Sequence, residues 1–218
     1  MKLFLSTISW RLEGSLNFLV ESQWNDTTFL IPLRHRMGKT LVNEAYINET
    51  FGAPYEIIKA CLKNNEGAFI DIGTNIGAFC LLISELDKDR EYLGFEVNVI
   101  TAAYLQTLIE ANSLHHSHVL PVGLSSKPEY TSLSFNSDHD VMASLLPSIR
   151  GDNFYRNHRG VYVVDGDSLL RSTSIEAISF IKIDVEGAEA DTIQGLKETL
   201  SRHRPPVMFE LLPMGDED

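Results

Sequence analysis

The sequence predicts an α/β protein: a doubly wound, mostly parallel sheet with an N-terminal β-hairpin before it and a β insertion within it. Three observations carry that expectation. FIDIGTNIGAFC, residues 69–80, runs an apolar strand through an acid and two glycines into an apolar helix. Nucleotide-binding α/β proteins begin in this way. Short apolar strands then alternate with single amphipathic helices, which requires a parallel sheet with right-handed crossovers. The rhythm breaks over residues 125–178, where two strand-like stretches flank a polar loop rich in Asn, Ser and Asp.

The elements follow in chain order. TTFLIPLR (27–34) reads as a short strand, RHRMGK (34–39) as a turn around Gly38, and a second short strand after it completes the hairpin. PYEIIKACLK (54–63) spaces Ile57, Ile58, Cys61 and Leu62 helically and begins with Pro54, which suits a first helical turn. AFIDIG (68–73) is the first sheet strand and IGAFCLLISEL (76–86) the helix after it. EYLGFE (91–96) is the second strand. Asn98 caps a helix over 99–113, with Ile100, Tyr104, Leu108 and Ile109 on one face. HVLPVGL (118–124) is the third strand; TSLSF (131–135) and VYVVDG (161–166) belong to the insertion. SFIKIDV (179–185) is the fourth strand. A helix over 188–202 carries Ile193, Leu196 and Leu200 on one stripe, and PVMFELL (206–212) is the fifth strand.

The chain of 218 residues, 44% apolar and 22% charged, fits a single domain over 1–218, with an N-terminal extension at 1–50 and a core at 51–212. A net charge of −12 opposes a phosphate backbone, so no nucleic-acid partner is expected. No apolar run approaches the roughly 20 residues of a membrane span. MKLFLSTISWRLEG is interrupted by Arg11 and Glu13 and has no small-residue cleavage site after it, so no signal peptide is read. Cys61 and Cys80 on apolar helical stretches read as buried reduced thiols of a cytoplasmic protein.

In open sheets, ligands bind outside the carboxyl ends of the strands. The polar residues there are Asp71, Glu96, Ser125, Asp184, Glu186 and Glu210. The glycine turn is neither G-x-G-x-x-G nor G-K-[ST], because Thr74 and Asn75 follow Gly73 and the next glycine is Gly77. A pyrophosphate would meet Asp71, an unfavourable like-charge contact. S-adenosylmethionine, with a sulfonium and an ammonium against one carboxylate, reverses that sign. Asp71 can attract its cationic end directly or through water. Gly73 and Gly77 allow close backbone approach, and Thr74 or Asn75 can cap the next helix. Glu96, 23 positions after Gly73, stands where nucleoside-binding domains put the acid that accepts ribose hydroxyls. In SFIKIDV, Ile181, Ile183 and Val185 face one way, and Phe180, Lys182 and Asp184 the other. A lysine there needs a partner, for which Asp184 is suited. Glu189, in the first turn of the next helix, complements the helix dipole.

FIDIGTNIGAF, GFEVN, the AN at 111–112, VLPVGLSS, MASLLP at 142–147, VDGDSLL and FIKIDVEGAEADTIQGL together resemble the FkbM-type methyltransferases over about residues 50–212. The resemblance implies the Rossmann-like, seven-stranded methyltransferase sheet and S-adenosylmethionine as donor. It implies a hydroxyl acceptor on a sugar, glycan or other small metabolite. Residue by residue, it implies that Asp71, Gly73, Asn75 and Gly77, with Thr74 in the same turn, line the methionine and ribose end. Glu96 would hold the ribose hydroxyls and Ser125 would lie near the adenine. Asp184 would face the methyl-transfer site with Glu186 near it. Glu56 matches an acid opening the helix before the first strand, and Ser144 a serine in the insertion. The chain departs from the family at Val97, where a proline is usual, and at Gly166 and Asp167, where Leu-Asp is usual. It stops at Asp218, after the fifth strand, so the final strands of the family fold are expected to be missing.

The expected reaction is in-line methyl transfer to a hydroxyl whose proton passes to a carboxylate. The candidates are Asp184, then Glu186, then His139. Asp184 and Glu186 suit a divalent metal, but no third ligand follows by spacing, so no metal is expected. His115, His116 and His118 lack zinc spacing and read as surface residues. The rival readings are a non-catalytic methyltransferase-like module and a nicotinamide-dependent oxidoreductase, which the glycine spacing and Asp71 disfavour.

Overall fold

The computed structural model describes residues 18–210 except 34, 35, 139, 141 and 152. The N-terminal stretch in which no signal peptide is read, His139 and the end of the fifth strand at 211–212 lie outside these residues. The chain opens with β1 (Leu19–Trp24) and β2 (Thr27–Pro32), an antiparallel pair joined by the two-residue turn Asn25, Asp26. The expected hairpin was one strand too late. Asn25 supplies the turn with φ 48°, and residues 36–42 form a 3-10 helix rather than a strand. Asn112 fastens the hairpin to the body: its amide accepts from Leu30 N at 2.7 Å and donates to Leu30 O at 2.8 Å, as a neighbouring strand would.

Helix α1 (Glu44–Asn64) begins ten residues before Pro54. Pro54 is therefore internal, and the helix loses one hydrogen bond there. Burial of Ile58 and Leu62, with Ile47 packed against the same cluster, overrides that loss. Then follow β3 (Ala68–Ile72), α2 (Ala78–Leu86), β4 (Tyr92–Phe95), α3 (Val99–Ala111) and β5 (Ser117–Leu120). Asn98 caps α3 by accepting from Ile100 N, as expected. The third expected strand is broken at Pro121, which has no N–H to give a ladder. Its second half, β6 (Gly123–Ser125), joins a different sheet with β7 (Glu129–Phe135) and β8 (Asn157–Asp165), in the order β6-β8-β7.

Helix α4 (Gly166–Arg171) leads to β9 (Ile178–Ile183). The expected helix over 188–202 is two helices, α5 (Glu189–Gly195) and α6 (Lys197–His203). A Cβ on Gly195 would lie 1.9 Å from Ser125 O, so the helix presses its backbone on β6 and breaks at buried Leu196. The last strand is β10 (Val207–Phe209).

The central sheet is wholly parallel, in the order β10-β9-β3-β4-β5. Strands β3, β4 and β9 are buried along their whole length, as a sheet covered on both faces requires. On one face Phe69 stacks on Phe180 at 5.3 Å and on Tyr92 at 6.0 Å between ring centroids. On the other face Ile70, Ile72, Ile181 and Ile183 form the second core. Burial of each such side chain stabilises the fold by about 1.5–3 kcal/mol. The order reverses direction between β3 and β9, which opens a crevice at their carboxyl ends. No described helix is long and apolar enough to cross a membrane.

Candidate active site

Parallel strands put their carboxyl ends on one edge. Gly73, Glu96, Asp184 and Glu210, from the ends of β3, β4, β9 and β10, line one cavity of about 410 Å³ there. Leu124, Leu133, Ala143 and Leu145 add an apolar wall.

The glycine turn sits hard against β9. Asp184 N donates to Ile72 O at 2.9 Å. A Cβ on Gly73, at φ 76°, would stand 1.7 Å from Asp184 O, so no side chain fits. Glu96 ties the turn to the next helix. Its Oε2 accepts from Asn75 N at 2.9 Å and its Oε1 from Asn98 N at 2.8 Å. Burial pushes the Glu96 carboxyl up to about 7, although those two N–H groups and Lys182 pull the other way.

Asp71 lies behind the turn, fully buried and away from the cavity wall. It accepts from Tyr92 OH at 2.6 Å, and Tyr92 OH also bonds the Thr74 hydroxyl. The register Asp71↔Lys182 brings Lys182 Nζ to 3.2 Å from Asp71 Oδ1. The same ammonium donates to Gly73 O at 2.9 Å, pairs with Asp184 Oδ2 at 3.3 Å and lies 5.0 Å from the centre of the Phe79 ring. Burial alone would lower the lysine, but Asp71 and Asp184 outweigh it and hold the ammonium above its usual range. The expected Lys182–Asp184 pair is therefore present, with Asp71 added. The expectation that Asp71 meets a ligand's cation is corrected: its carboxylate is taken up by Lys182 and Tyr92.

Beyond β9 the chain turns through Glu186, at φ 54°. Its carbonyl accepts from the Ser144 hydroxyl at 2.6 Å and its carboxylate pairs with Arg150. Glu189 Oε1 accepts from Val185 N and Gly187 N, both at 3.1 Å, so it serves the turn before its helix rather than only the helix dipole. Asp184, Glu186 and Glu210 bring carboxylate oxygens within 4.8 Å of one another. Spacing along the chain missed Glu210 as a third carboxylate, because only the pairing of β10 with β9 delivers it. Burial, then the charge of Asp184 and a hydrogen bond with it, push the Glu210 carboxyl up. Burial also raises Glu186, against the pull of Arg150.

Of the expected site residues, Gly73, Thr74, Asn75, Glu96, Asp184 and Glu186 line the cavity. Gly77 does not; it seats α2 against Leu105, where a Cβ would come within 2.3 Å. Ser125 does not either. Its hydroxyl donates to Asp191, and Leu124 faces the cavity in its place. Glu56 is exposed on α1 and apart from the cavity.

Comparison with curated proteins and with solved structures finds no match. A family model described as Methyltransferase FkbM domain matches residues 71–217, more than half of the chain. The match begins at the acid behind the glycine turn and takes in every strand end around the cavity, and on that ground the chain belongs to the FkbM methyltransferase domain family.

Proposed function

We propose that the protein moves the methyl group of S-adenosylmethionine to a hydroxyl oxygen of a sugar, glycan or other small metabolite. The observation that carries this reading is Glu96 and Asp184 facing one cavity from the two strands that flank β3. The cavity, about 410 Å³, falls in the range of about 300–1,000 Å³ usual for small-molecule pockets. Five carboxylates line it, from Glu96, Asp140, Asp184, Glu186 and Glu210. They repel a pyrophosphate and favour a ligand of net positive charge, a role that Asp71, held behind the turn, does not fill.

Bound there, the donor would supply an already activated methyl for in-line transfer to the acceptor oxygen, its sulfur keeping the electron pair of the broken carbon–sulfur bond. Glu96 accepts the ribose hydroxyls on lone pairs its two backbone bonds leave open. The backbone of Gly73, Thr74 and Asn75 sets the depth of the ligand. Asp184 takes the proton of the acceptor hydroxyl. Its side chain is 39% exposed, against 18% for Glu186, which Arg150 engages. The two free cysteines, Cys61 and buried Cys80, support a cytoplasmic setting.

Calorimetric titration with S-adenosylhomocysteine and with NAD tests this reading. Micromolar binding of the former, abolished in Glu96→Ala, is the expected result. Tight NAD binding, or binding of neither, refutes it. With labelled S-adenosylmethionine and a panel of hydroxylated acceptors, Asp184→Asn should lower turnover about a hundredfold while sparing S-adenosylhomocysteine. Equal loss of both makes Asp184 a binding residue.

A further inference from the structure

We propose that Lys182 is the positioning residue of the methyl-transfer end, one ammonium holding the donor-side turn and the acceptor-side acid in fixed register. The inference rests on the methyltransferase reading above and adds a residue to it.

An ammonium has three N–H donors. Lys182 donates a hydrogen bond to Gly73 O at 2.9 Å and forms ion pairs with Asp71 Oδ1 at 3.2 Å and Asp184 Oδ2 at 3.3 Å. Its side chain is 6% exposed and Asp71 is fully buried, so their contact is made away from bulk water, while Asp184, 39% exposed, meets the ammonium at the cavity wall. A buried lysine needs a counter-charge, and Asp71 alone would provide it. The other two contacts go to groups with different duties. The Gly73 carbonyl belongs to the turn that faces the donor. Asp184 is the acid that faces the acceptor. The Phe79 ring directs the ammonium from one side. Asp71 is itself fixed by Tyr92 OH, which reaches back to Thr74 in the cavity wall. The chain Thr74–Tyr92–Asp71–Lys182–Asp184 thus leaves the cavity, crosses the core and returns to the cavity. Reaction rate depends steeply on such register, since a misplacement of about 1 Å can cost about a hundredfold.

Lys182→Met would strand Asp71 as a buried lone charge, so the informative variant is Asp71→Asn with Lys182→Met, which removes the pair together. This double variant should fold and bind S-adenosylhomocysteine within about threefold of wild type. It should keep its KM for the donor and lose about 10- to 100-fold in kcat. Wild-type kcat in the double variant overturns the proposal, and so does a fall in affinity as large as the fall in kcat. A second measurement needs neither turnover nor the double variant. In ¹⁵N-lysine spectra of the unliganded protein, Asp184→Asn should shift the Lys182 ammonium signal with the fold intact. An unmoved signal overturns the proposal. Failure of the methyltransferase reading shows separately, as wild-type protein that binds no S-adenosylhomocysteine.

Discussion

Replacing Glu96 by Gln tests the electrostatics of the cavity directly. In the folded protein burial raises this carboxyl from 4.5 to about 7. Between those two values folded Glu96 holds a proton that the unfolded chain has released. Wild-type stability therefore falls as pH rises through that window, and the whole cost is present above pH 7. A rise from 4.5 to about 7, at about 1.4 kcal/mol per pH unit, amounts to about 3 kcal/mol. Glu96 is not fully enclosed, so this figure is a ceiling. Gln cannot ionise. It also cannot accept from both Asn75 N and Asn98 N as the carboxylate does, a loss of about 1–3 kcal/mol relative to the ionised wild type. Urea unfolding of both proteins from pH 4 to pH 8 separates the two effects. The variant should gain on the wild type by up to about 3 kcal/mol across that range. A difference that stays constant with pH refutes the assignment. Binding gives a second readout. Only the ionised carboxylate accepts two hydroxyls, so wild-type affinity for S-adenosylhomocysteine should rise about tenfold from pH 6 to pH 8 and that slope should vanish in Glu96→Gln.

Gly73→Ala places a methyl group 1.7 Å from Asp184 O at φ 76°; urea midpoints should show a loss of about 3 kcal/mol or more, with nucleoside binding abolished. Asn25→Ala removes a residue that accepts φ 48° and whose amide reaches Tyr55 OH and Glu85. It should cost about 1–2 kcal/mol in the same assay, and Asn25→Gly less. Asp191 is held below its usual range because the Ser125 and Ser126 hydroxyls outweigh its burial. Its contribution, at most about 1 kcal/mol for so exposed a group, is lost as pH falls below about 4, and Asp191→Asn should remove that dependence.

The central sheet was legible because its strands are short apolar runs, buried on both faces and separated by single helices. Strand β1 was not. It puts Ser22 and Trp24 inward, and Ser22 is satisfied by donating to Leu41 O, so no apolar alternation marks it. Pro54 suggested a helix start because proline is most often found there, while the core contacts of Ile58 and Leu62 held the longer helix. In the cavity, Glu96 and Asp184 could be found by counting from the glycine turn and the strand ends. The partnership of Asp71 with Lys182 could not, nor could the approach of Glu210, itself named at a strand end, to Asp184 and Glu186, since both depend on which strands lie side by side and in what register. Ser125 shows the opposite failing. It ends a strand, yet that strand belongs to the second sheet, and Asp191 claims its hydroxyl.

The contacts of Glu186 bear on how such a protein can be re-engineered. Ser144 holds its backbone, Arg150 holds its carboxylate, and Ile149 fills the space beside Gly187, where a Cβ would come within 2.6 Å. Residues 144–150 and 184–187 are in effect a single moulded part, although some forty positions separate them in the chain. A graft that changes the first stretch also changes the seat of Asp184. Variation at Ser144, Ile149 and Arg150 is therefore tied to the seat of Asp184, and a transplanted segment should carry both stretches together.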